Sequence, residues 1–391
     1  SRAWRGGGGE CDMKVDISTY LQLMVEKDAS DLFFSAGAPV NIKLQGESHP
    51  VGNQPLSPTD VHDVAYSIMN DDQIAAFERD LELNMAISVA KLGRFRVNVY
   101  RQRGETAMVI RYIKSHIPSI EDLGLPESLK QLIMEKQGLI LVVGATGSGK
   151  STTLAAMINY RNENRSGHIL TIEDPIEFVH EHKKSVVDQR EVGLDTRSYP
   201  EALKNALREA PDVIVIGEIR DRETMRHALH YAETGHVCLS TLHANNANQT
   251  LERVINFFPD TAHHALLLDL AQHLKAIVSQ RLIPGSGGKR VPAVEILLNT
   301  PFISDLIEKS RVSEIKDAME QGKFAGMQTF DQSLYMLFKA GKISVDEALQ
   351  HADSRNNLRL RLRLEDPGQF KASEKLQIGA DGEKPLWPRR K

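Results

Sequence analysis

The chain has 391 residues, and 48 Lys and Arg against 52 Asp and Glu give a formal net charge of −4. This length is typical of two or three domains, because a domain usually holds about 100–200 residues. The near-neutral charge excludes binding to nucleic acid or anionic membrane by bulk electrostatics. Hydrophobic residues at 41% and charged residues at 26% exclude a disordered chain.

The cysteines and the apolar runs restrict the class of protein further. Two cysteines, Cys11 and Cys238, are too few for a disulfide framework or a four-thiolate zinc site. The sequence contains neither a signal peptide nor an apolar run near the ~20 residues that span a bilayer. Composition therefore predicts a soluble cytoplasmic protein.

Composition and pattern predict two domains between polar ends. Residues 1–12, with four consecutive glycines, are expected to be a disordered leader or a cloning remnant. Residues 13–114 are predicted to form an α+β domain, 115–124 a linker, and 125–366 an α/β domain. Residues 367–391 lack apolar periodicity and end in three basic residues, so we expect a disordered basic tail.

The N-terminal domain begins with a helical face at Ile17, Leu21 and Met24. After it, the pattern predicts short strands, a helix capped by Ser57 or Thr59, and three antiparallel strands. The ranges are 31–34 and 40–44 for the short strands, 58–70 for the helix, and 85–90, 93–101 and 106–113 for the last strands. These last strands are rich in arginine.

The second domain begins with a helix predicted over 126–136 and closed by Gly138. Apolar strands then alternate with helices, which is typical of a mostly parallel sheet with helices on both faces. The predicted strands are 139–143, 169–172, 213–216 and 237–240. Beyond Pro259 the pattern predicts mostly helix, with one strand at 291–297.

The strongest motif is G-A-T-G-S-G-K-S at 144–151, which fits G-x-x-x-x-G-K-[ST] between an apolar strand and a helix. Such glycines let backbone N–H groups face phosphate oxygens, and the helix adds its positive N-terminal end. Lys150 is expected to reach the β- and γ-phosphates of ATP, and the Ser151 hydroxyl to ligate Mg²⁺. The predicted nucleotide-binding residues are Gly144, Ala145, Thr146, Gly147, Ser148, Gly149, Lys150, Ser151 and Thr152.

Two further strands end in carboxylates. The strand at 213–216 leads to Glu218, which is placed to hold Mg²⁺ or to polarise the attacking water. The strand at 169–172 leads to Glu173, Asp174 and Glu177. Three carboxylates so close together repel one another unless they share a cation. A metal-bound nucleotide would supply that cation.

Histidine follows the last predicted strand of the sheet. A strand from 237 would place His243 at its carboxyl end, where ligands bind in α/β sheets, so that it could contact a γ-phosphate. An isolated histidine is as often structural, and both roles stay open. Cys238 lies within the apolar strand and is predicted to serve packing.

Together these four blocks resemble the Walker A, Asp box, Walker B and His box of the secretion-superfamily ATPases that drive type IV pili. The blocks lie at 144–152, 169–177, 212–220 and 235–243. Within that superfamily the chain is most similar to the PilT/PilU retraction motors, over about residues 13–364.

The resemblance implies a PAS-like N-terminal domain followed by a RecA-like P-loop ATPase domain with a helical C-terminal part, assembled as a ring of six. At matching positions, Glu177 would orient or deprotonate the attacking water. Glu218 would help to hold Mg²⁺, and His243 would contact the γ-phosphate side. Lys150 completes the predicted catalytic residues of the second domain.

Arginines of the N-terminal domain complete the predicted catalytic set. In such rings the arginines of one subunit close over the nucleotide of its neighbour, and Arg94, Arg96 and Arg111 occupy the matching strands. Arginine suits this role because its planar guanidinium pairs two phosphate oxygens and stays charged. The alternative is that these arginines form the solvated face of an antiparallel sheet.

The resemblance also implies partners and a cellular place. It predicts a hexameric motor that powers or assists pilus retraction and twitching motility, together with a paralogous retraction ATPase. The motor would act on an inner-membrane platform protein from the cytoplasmic side, with indirect membrane contact and no nucleic acid. Where retraction motors carry an Ala-Ile-Arg-Asn-Leu-Ile type motif, this chain has I-S-D-L-I-E-K-S-R at 303–311. That departure and the late sequence resemble the accessory PilU branch.

Three alternative functions compete with this prediction. An extension or type II secretion ATPase usually has a four-cysteine zinc module after the His box, and Cys238 alone cannot form one. A nucleic-acid translocase predicts basic, aromatic loops, which the sequence lacks. A non-hydrolysing ring component predicts a damaged P-loop or lost acids, and both are intact.

Overall fold

The computed structural model describes residues 15–44, 46–322 and 326–365. The predicted leader at 1–12 and tail at 367–391 therefore lie outside the described residues. The chain divides into two compact units after Ile117, and the first unit also includes 173–181 and 189–201. The sequence pattern does not indicate that these two later segments belong with the first unit.

The first unit is built on an antiparallel sheet. Its elements in chain order are α1 (Ile17–Glu26), β1 (Asp31–Phe34), β2 (Asn41–Leu44), β3 (Glu47–Pro50), α2 (Pro58–Ser67), α3 (Asp71–Asp80), β4 (Glu82–Val89), β5 (Gly93–Gln102) and β6 (Glu105–Ile113). Within the described residues the sheet has six strands in the order β3-β2-β1-β6-β5-β4. This confirms the predicted α+β organisation and the three long strands.

Helix caps explain where the sequence prediction for this unit was wrong. The predicted helix over 58–70 ends at Ser67, and Asn70 caps a separate helix, α3. The side chains of Asn70 and Gln73 each accept a hydrogen bond from the other residue's backbone N–H. This reciprocal pair is a capping box, which starts a new helix. The predicted face of α1 is confirmed, since Ile17, Leu21 and Met24 are buried.

The second unit is built on a mostly parallel sheet. The elements after β6 are α4 (Ser128–Ile133), β7 (Gly138–Val143), α5 (Lys150–Asn164), β8 (Gly167–Glu173), β9 (Ser185–Glu191), α6 (Tyr199–Ala206), β10 (Val213–Ile216), α7 (Arg222–Glu233), β11 (Val237–Leu242), α8 (Ala247–Asn256), α9 (His263–His273), β12 (Leu274–Pro284), β13 (Arg290–Leu298), α10 (Pro301–Glu308), α11 (Ile315–Gln321), α12 (Phe330–Lys339), α13 (Val345–Gln350) and α14 (Arg355–Glu365). Among described residues its seven strands have the order β13-β12-β7-β11-β10-β8-β9.

The parallel pairing of β7, β11, β10 and β8 confirms the predicted sheet. The expectation of a single strand beyond Pro259 is wrong, because β12 also lies there and pairs in parallel with β7. A strand with most of its residues buried lacks polar alternation, so periodicity does not separate it from a buried helix. The helix predicted over 126–136 is shorter in the structure, where it is α4. Gly138 does not end that helix but is the first residue of β7.

Two smaller predictions can be compared with the structure. Cys238 is a fully buried free thiol in β11, and burial raises its pKa above the ordinary value, as expected of a packing residue. No helix in the described part of the chain is long and apolar enough to cross a membrane.

Candidate functional site

Three parallel strands bring the predicted site residues of the second unit to one edge of the sheet. Leu242 of β11 is paired with Val143 of β7, and Ile216 of β10 is paired with Ser240 of β11. The loops that follow these strands therefore begin side by side at their carboxyl ends. This is the edge at which α/β sheets bind ligands.

The P-loop follows β7 and turns into α5 through left-handed glycines. Gly147 has φ +76° and Gly149 has φ +88°, values that residues with a side chain rarely adopt. A Cβ at Gly144 would lie 2.4 Å from Ser148 Oγ and 2.5 Å from the Gln280 carbonyl oxygen. Gly147 is therefore required for its backbone angle, Gly144 for space, and Gly149 for both.

Lys150, the first residue of α5, has its ammonium group within the same loop. Lys150 Nζ donates hydrogen bonds to the carbonyl oxygens of Gly144 and Ala145, each at 2.9 Å. Its side chain is buried, and a buried ammonium needs such acceptors. These bonds hold the cation over the loop that the sequence assigns to phosphate.

Gln280 of β12 is a site residue that sequence reasoning missed. Its Nε2 donates to the Ser148 carbonyl oxygen at 2.8 Å, and its Oε1 accepts from Thr153 Oγ1 at 2.6 Å. One buried amide thereby joins the P-loop to the first turn of α5. The sequence of β12 carries no clear signal of this role, because Gln280 stands between two other polar residues, Ser279 and Arg281.

We expect Gln280→Ala to destabilise the second unit by about 2 kcal/mol or more, because it leaves two buried polar groups without partners. The midpoint of thermal unfolding should fall by about 4–8 °C. Gln137→Ala, which truncates an exposed glutamine of the same unit, is the matched control and should shift the midpoint little. Equal midpoints for the two variants would contradict the structural role of Gln280.

Glu218 and His243 are in direct contact. Glu218 Oε1 lies 3.0 Å from His243 Nε2, and Glu218 Oε2 accepts a hydrogen bond from Arg220 Nε at 2.7 Å. A side-chain hydrogen bond also joins the carboxyl ends of β10 and β11, since Thr241 Oγ1 donates to the Gly217 carbonyl oxygen at 2.7 Å. The structure thus brings together the Walker B and His box residues, and it makes Arg220 an additional neighbour that the sequence prediction omitted.

The Asp-box carboxylates belong to the first unit and do not converge on one point. Glu173 accepts a hydrogen bond from Gln189 Nε2 at 3.2 Å, while Asp174 and Glu177 are exposed. No group of three or more His, Cys, Asp or Glu among the described residues is arranged to hold a metal ion. The role of Glu177 in orienting water therefore stays a prediction.

The three predicted arginines lie on neighbouring strands of the first unit, and each has a different environment. Arg96 is paired with Arg111 across β5 and β6. Arg111 Nε donates to Asp31 Oδ1 at 2.8 Å. Arg96 Nε lies 3.7 Å from Glu191 Oε1, and Arg94 Nε is buried without a hydrogen-bond partner among the described residues. Their action on a neighbouring subunit stays a prediction.

Behind the His243 loop, the buried carboxylate of Glu295 holds the start of α8. Glu295 Oε1 accepts from the Ala247 backbone N–H at 2.7 Å and from Ser279 Oγ at 3.0 Å. Only 3% of the residue is exposed. Burial raises the pKa of Glu295 to about 7, although both hydrogen bonds favour the charged form.

This raised pKa predicts a pH dependence of stability. The native state binds the Glu295 proton more tightly than the unfolded chain does, so stability is fully present below pH 4.5 and declines as pH rises to about 7. The loss is at most about 3 kcal/mol, and Glu295→Gln should remove it. Denaturant unfolding of both proteins from pH 5 to 8 measures the difference. Glu320→Gln, at an exposed carboxylate, is the control, and a parallel pH dependence of wild type and Glu295→Gln would contradict the prediction.

The residues at the carboxyl ends of the parallel strands fit a nucleoside triphosphate. The Ser148 hydroxyl is buried within the P-loop and finds no hydrogen-bond partner in the described part of the chain. Gly144 and Gly149 leave no room for side chains, while Lys150 supplies a fixed positive charge. Ser151 at the start of α5 and Glu218 at the end of β10 offer the oxygen atoms that Mg²⁺ prefers.

A parallel sheet with a P-loop after one strand, β7, and a carboxylate after the next strand but one, β10, defines a P-loop ATPase. The chain matches the family described as "Type II/IV secretion system protein" over residues 12–336. It therefore belongs to the type II/IV secretion system protein family, and within it to the PilT/PilU type IV pilus retraction ATPases.

Individual relatives agree with this assignment. The chain is 54% identical to "Type IV pilus ATPase PilU" of Pseudomonas aeruginosa, over 90% of this chain and 92% of that protein. It is 45% identical to "Type IV pilus retractation ATPase PilT" of the same organism, over 86% of this chain and 98% of that protein. The crystal structure of the pilus retraction motor PilT with bound ADP superimposes with a TM-score of 0.82 at 40% identity, covering 88% of this chain and 99% of that one. The mixed α/β fold and the predicted ATPase activity in pilus retraction are thereby confirmed.

Proposed function

We propose that this chain is a Mg²⁺-dependent ATPase that assists type IV pilus retraction as a member of a ring of six. The observation that carries the proposal is the arrangement of the second unit, in which the P-loop, Glu218 and His243 follow adjacent parallel strands. The higher identity to PilU than to PilT supports an assisting role beside a paralogous retraction ATPase.

Each residue of the second unit has a distinct proposed task. The P-loop N–H groups and Lys150 bind the phosphates, and Lys150 stabilises charge on the γ-phosphoryl group during in-line attack by water. Glu218 and Ser151 hold Mg²⁺, which when bound supplies positive charge to the phosphate oxygens. His243, in contact with Glu218, reports on the γ-phosphate side of the nucleotide.

The first unit contributes residues whose tasks we carry over from the resemblance. We assign the orientation or deprotonation of water to Glu177. We assign stabilisation of the phosphates of a neighbouring subunit to Arg94, Arg96 and Arg111. The α+β architecture of this unit, with its sheet of six strands in the described residues, supports a PAS-like fold. The proposed partner that receives the motion is an inner-membrane platform protein, and membrane contact is indirect.

The test has a biochemical and a cellular arm. Purified full-length protein with Mg²⁺ should release phosphate from ATP under conditions that favour oligomers, and its mass in solution should correspond to six copies. Deleting the gene alone and together with its paralogue, with labelled pili observed in living cells, separates an assisting motor from a stand-alone motor. Absence of both binding and turnover of ATP would refute the enzymatic proposal.

A further inference from the structure

The arginine strands of the first unit place positive charges directly opposite one another. Arg96 of β5 and Arg111 of β6 are a cross-strand pair, and Asp31 of β1 is in turn paired with Arg111. Directly opposed like charges destabilise a sheet, so each guanidinium needs an anion nearby. Asp31 supplies that anion for Arg111 through a 2.8 Å hydrogen bond.

The anion beside Arg96 is Glu191, which is far more buried than an isolated carboxylate tolerates. The Glu191 side chain is 1% exposed, and its Oε1 lies 3.7 Å from Arg96 Nε. Its Oε2 has no hydrogen-bond partner in the part of the chain that is described. Burial raises the pKa of Glu191, and the nearby arginines act in the opposite direction.

The same carboxylate also contacts the Asp-box turn. The backbone N–H of Ile176 lowers the pKa of Glu191 by favouring its charged form, in opposition to burial. Ile176 is buried and directly precedes the exposed Glu177, the residue to which we assign the orientation of water. One carboxylate therefore lies between a guanidinium proposed to act on phosphate and the backbone that carries Glu177.

A tight loop holds the backbone of Glu191 in place. The Glu191 N–H donates to Asp195 Oδ2 at 2.9 Å, and the Asp195 N–H returns a bond to the Glu191 carbonyl oxygen at 2.8 Å. The next residue, Val192, donates its N–H to the Glu173 carbonyl oxygen at 2.9 Å. These bonds hold the backbone of Glu191 on both sides.

We propose that Glu191 is a positioning residue that holds Arg96 and the turn carrying Glu177 together, so that engagement of Arg96 with a phosphate changes the restraint on Glu177. A guanidinium that turns to a phosphate leaves the buried carboxylate with fewer partners, namely the Ile176 N–H and the charge of Arg94. A buried charge that loses one partner depends more strongly on the partners that remain. The inference rests on the proposed function, because it takes the roles of Arg96 and Glu177 from there.

Glu191→Gln tests the inference, because it removes the charge and keeps both the size and an acceptor for the Ile176 N–H. The turnover number for ATP should fall by about tenfold, an effect of the size found for coupled neighbours. The dissociation constant for ADP should stay within about twofold of wild type, because the P-loop residues are unchanged. Glu82→Gln, an exposed carboxylate of the same unit, is the matched control and should leave turnover unchanged.

Two further measurements distinguish positioning from general damage. If Glu191 acts through Arg96, the Glu191→Gln/Arg96→Gln double variant should turn over ATP as slowly as Arg96→Gln alone, whereas multiplying defects would overturn the coupling. Backbone amides of residues 174–178 should exchange hydrogen faster in nucleotide-free Glu191→Gln than in wild type. Unchanged exchange there would overturn the part that concerns Glu177.

The turnover and hydrogen-exchange measurements distinguish failure of this inference from failure of the proposed function. Wild-type protein without ATP turnover would refute the proposed function, while the exchange measurement on nucleotide-free protein would still test the position of Glu191. If Glu191→Gln does not fold, Arg96→Gln tests the same contact from the other side. In that variant we expect faster exchange at residues 192–196, and wild-type exchange rates there would overturn the inference.

Discussion

Lys150→Ala is expected to weaken nucleotide binding by the full-length protein severely. Lys150 is buried in the P-loop and donates to the carbonyl oxygens of Gly144 and Ala145, so its ammonium is held where the loop N–H groups face phosphate. Hydrogen bonds to charged groups contribute about 1.5–3 kcal/mol each, and 1.4 kcal/mol corresponds to a factor of ten. We therefore expect affinity for ATP to fall by about 100-fold or more, measured by titration calorimetry.

The control for this variant is Lys136→Ala, which removes an exposed lysine from the same unit and should bind ATP as wild type does. Thermal unfolding in the absence of nucleotide shows whether Lys150→Ala is folded. If a folded Lys150→Ala protein bound ATP with wild-type affinity, the assignment of this loop as the phosphate site would be wrong.

Glu218→Gln is expected to bind ATP but not to turn it over. The substitution keeps the shape of a side chain that contacts both His243 and Arg220, and it removes the negative charge proposed to hold Mg²⁺ and to polarise water. Loss of a positioned acid–base group lowers rates by about 10²–10⁴-fold. Phosphate release should fall within that range, while the dissociation constant for ATP should change only a few-fold.

A matched variant and a comparison define the specificity of this effect. Glu223→Gln, in the first turn of α7, removes an exposed carboxylate near the same strand and should hydrolyse ATP normally. Glu177→Gln should also slow turnover if Glu177 orients water. Normal phosphate release by Glu218→Gln would show that the carboxylate after β10 has no catalytic part.

Features that depend on short contiguous segments could be predicted from the sequence. The P-loop depends on glycines and one lysine within a few positions, and its local pattern is sufficient because the backbone of that segment makes the phosphate site. Glu218 and His243 could likewise be placed, because each directly follows an apolar strand that the pattern predicts. Their direct contact follows from the parallel pairing of β10 and β11.

Structure was needed wherever a buried polar group finds its partner far along the chain. Gln280 contacts Ser148 from 132 positions away, and it lies in a strand, β12, that periodicity did not identify. No sequence motif marks Glu191, and only the folded first unit brings it to Arg96.

The pattern of residues along the chain was sufficient to predict the class of this protein and its phosphate-binding loop. Local backbone conformation and the alternation of strands and helices are properties of neighbouring residues, so they leave a pattern in the sequence. Tertiary structure alone decided which side chains support that site. The free energy of a buried amide or carboxylate depends on partners that folding brings near, and no pattern of neighbouring residues specifies them.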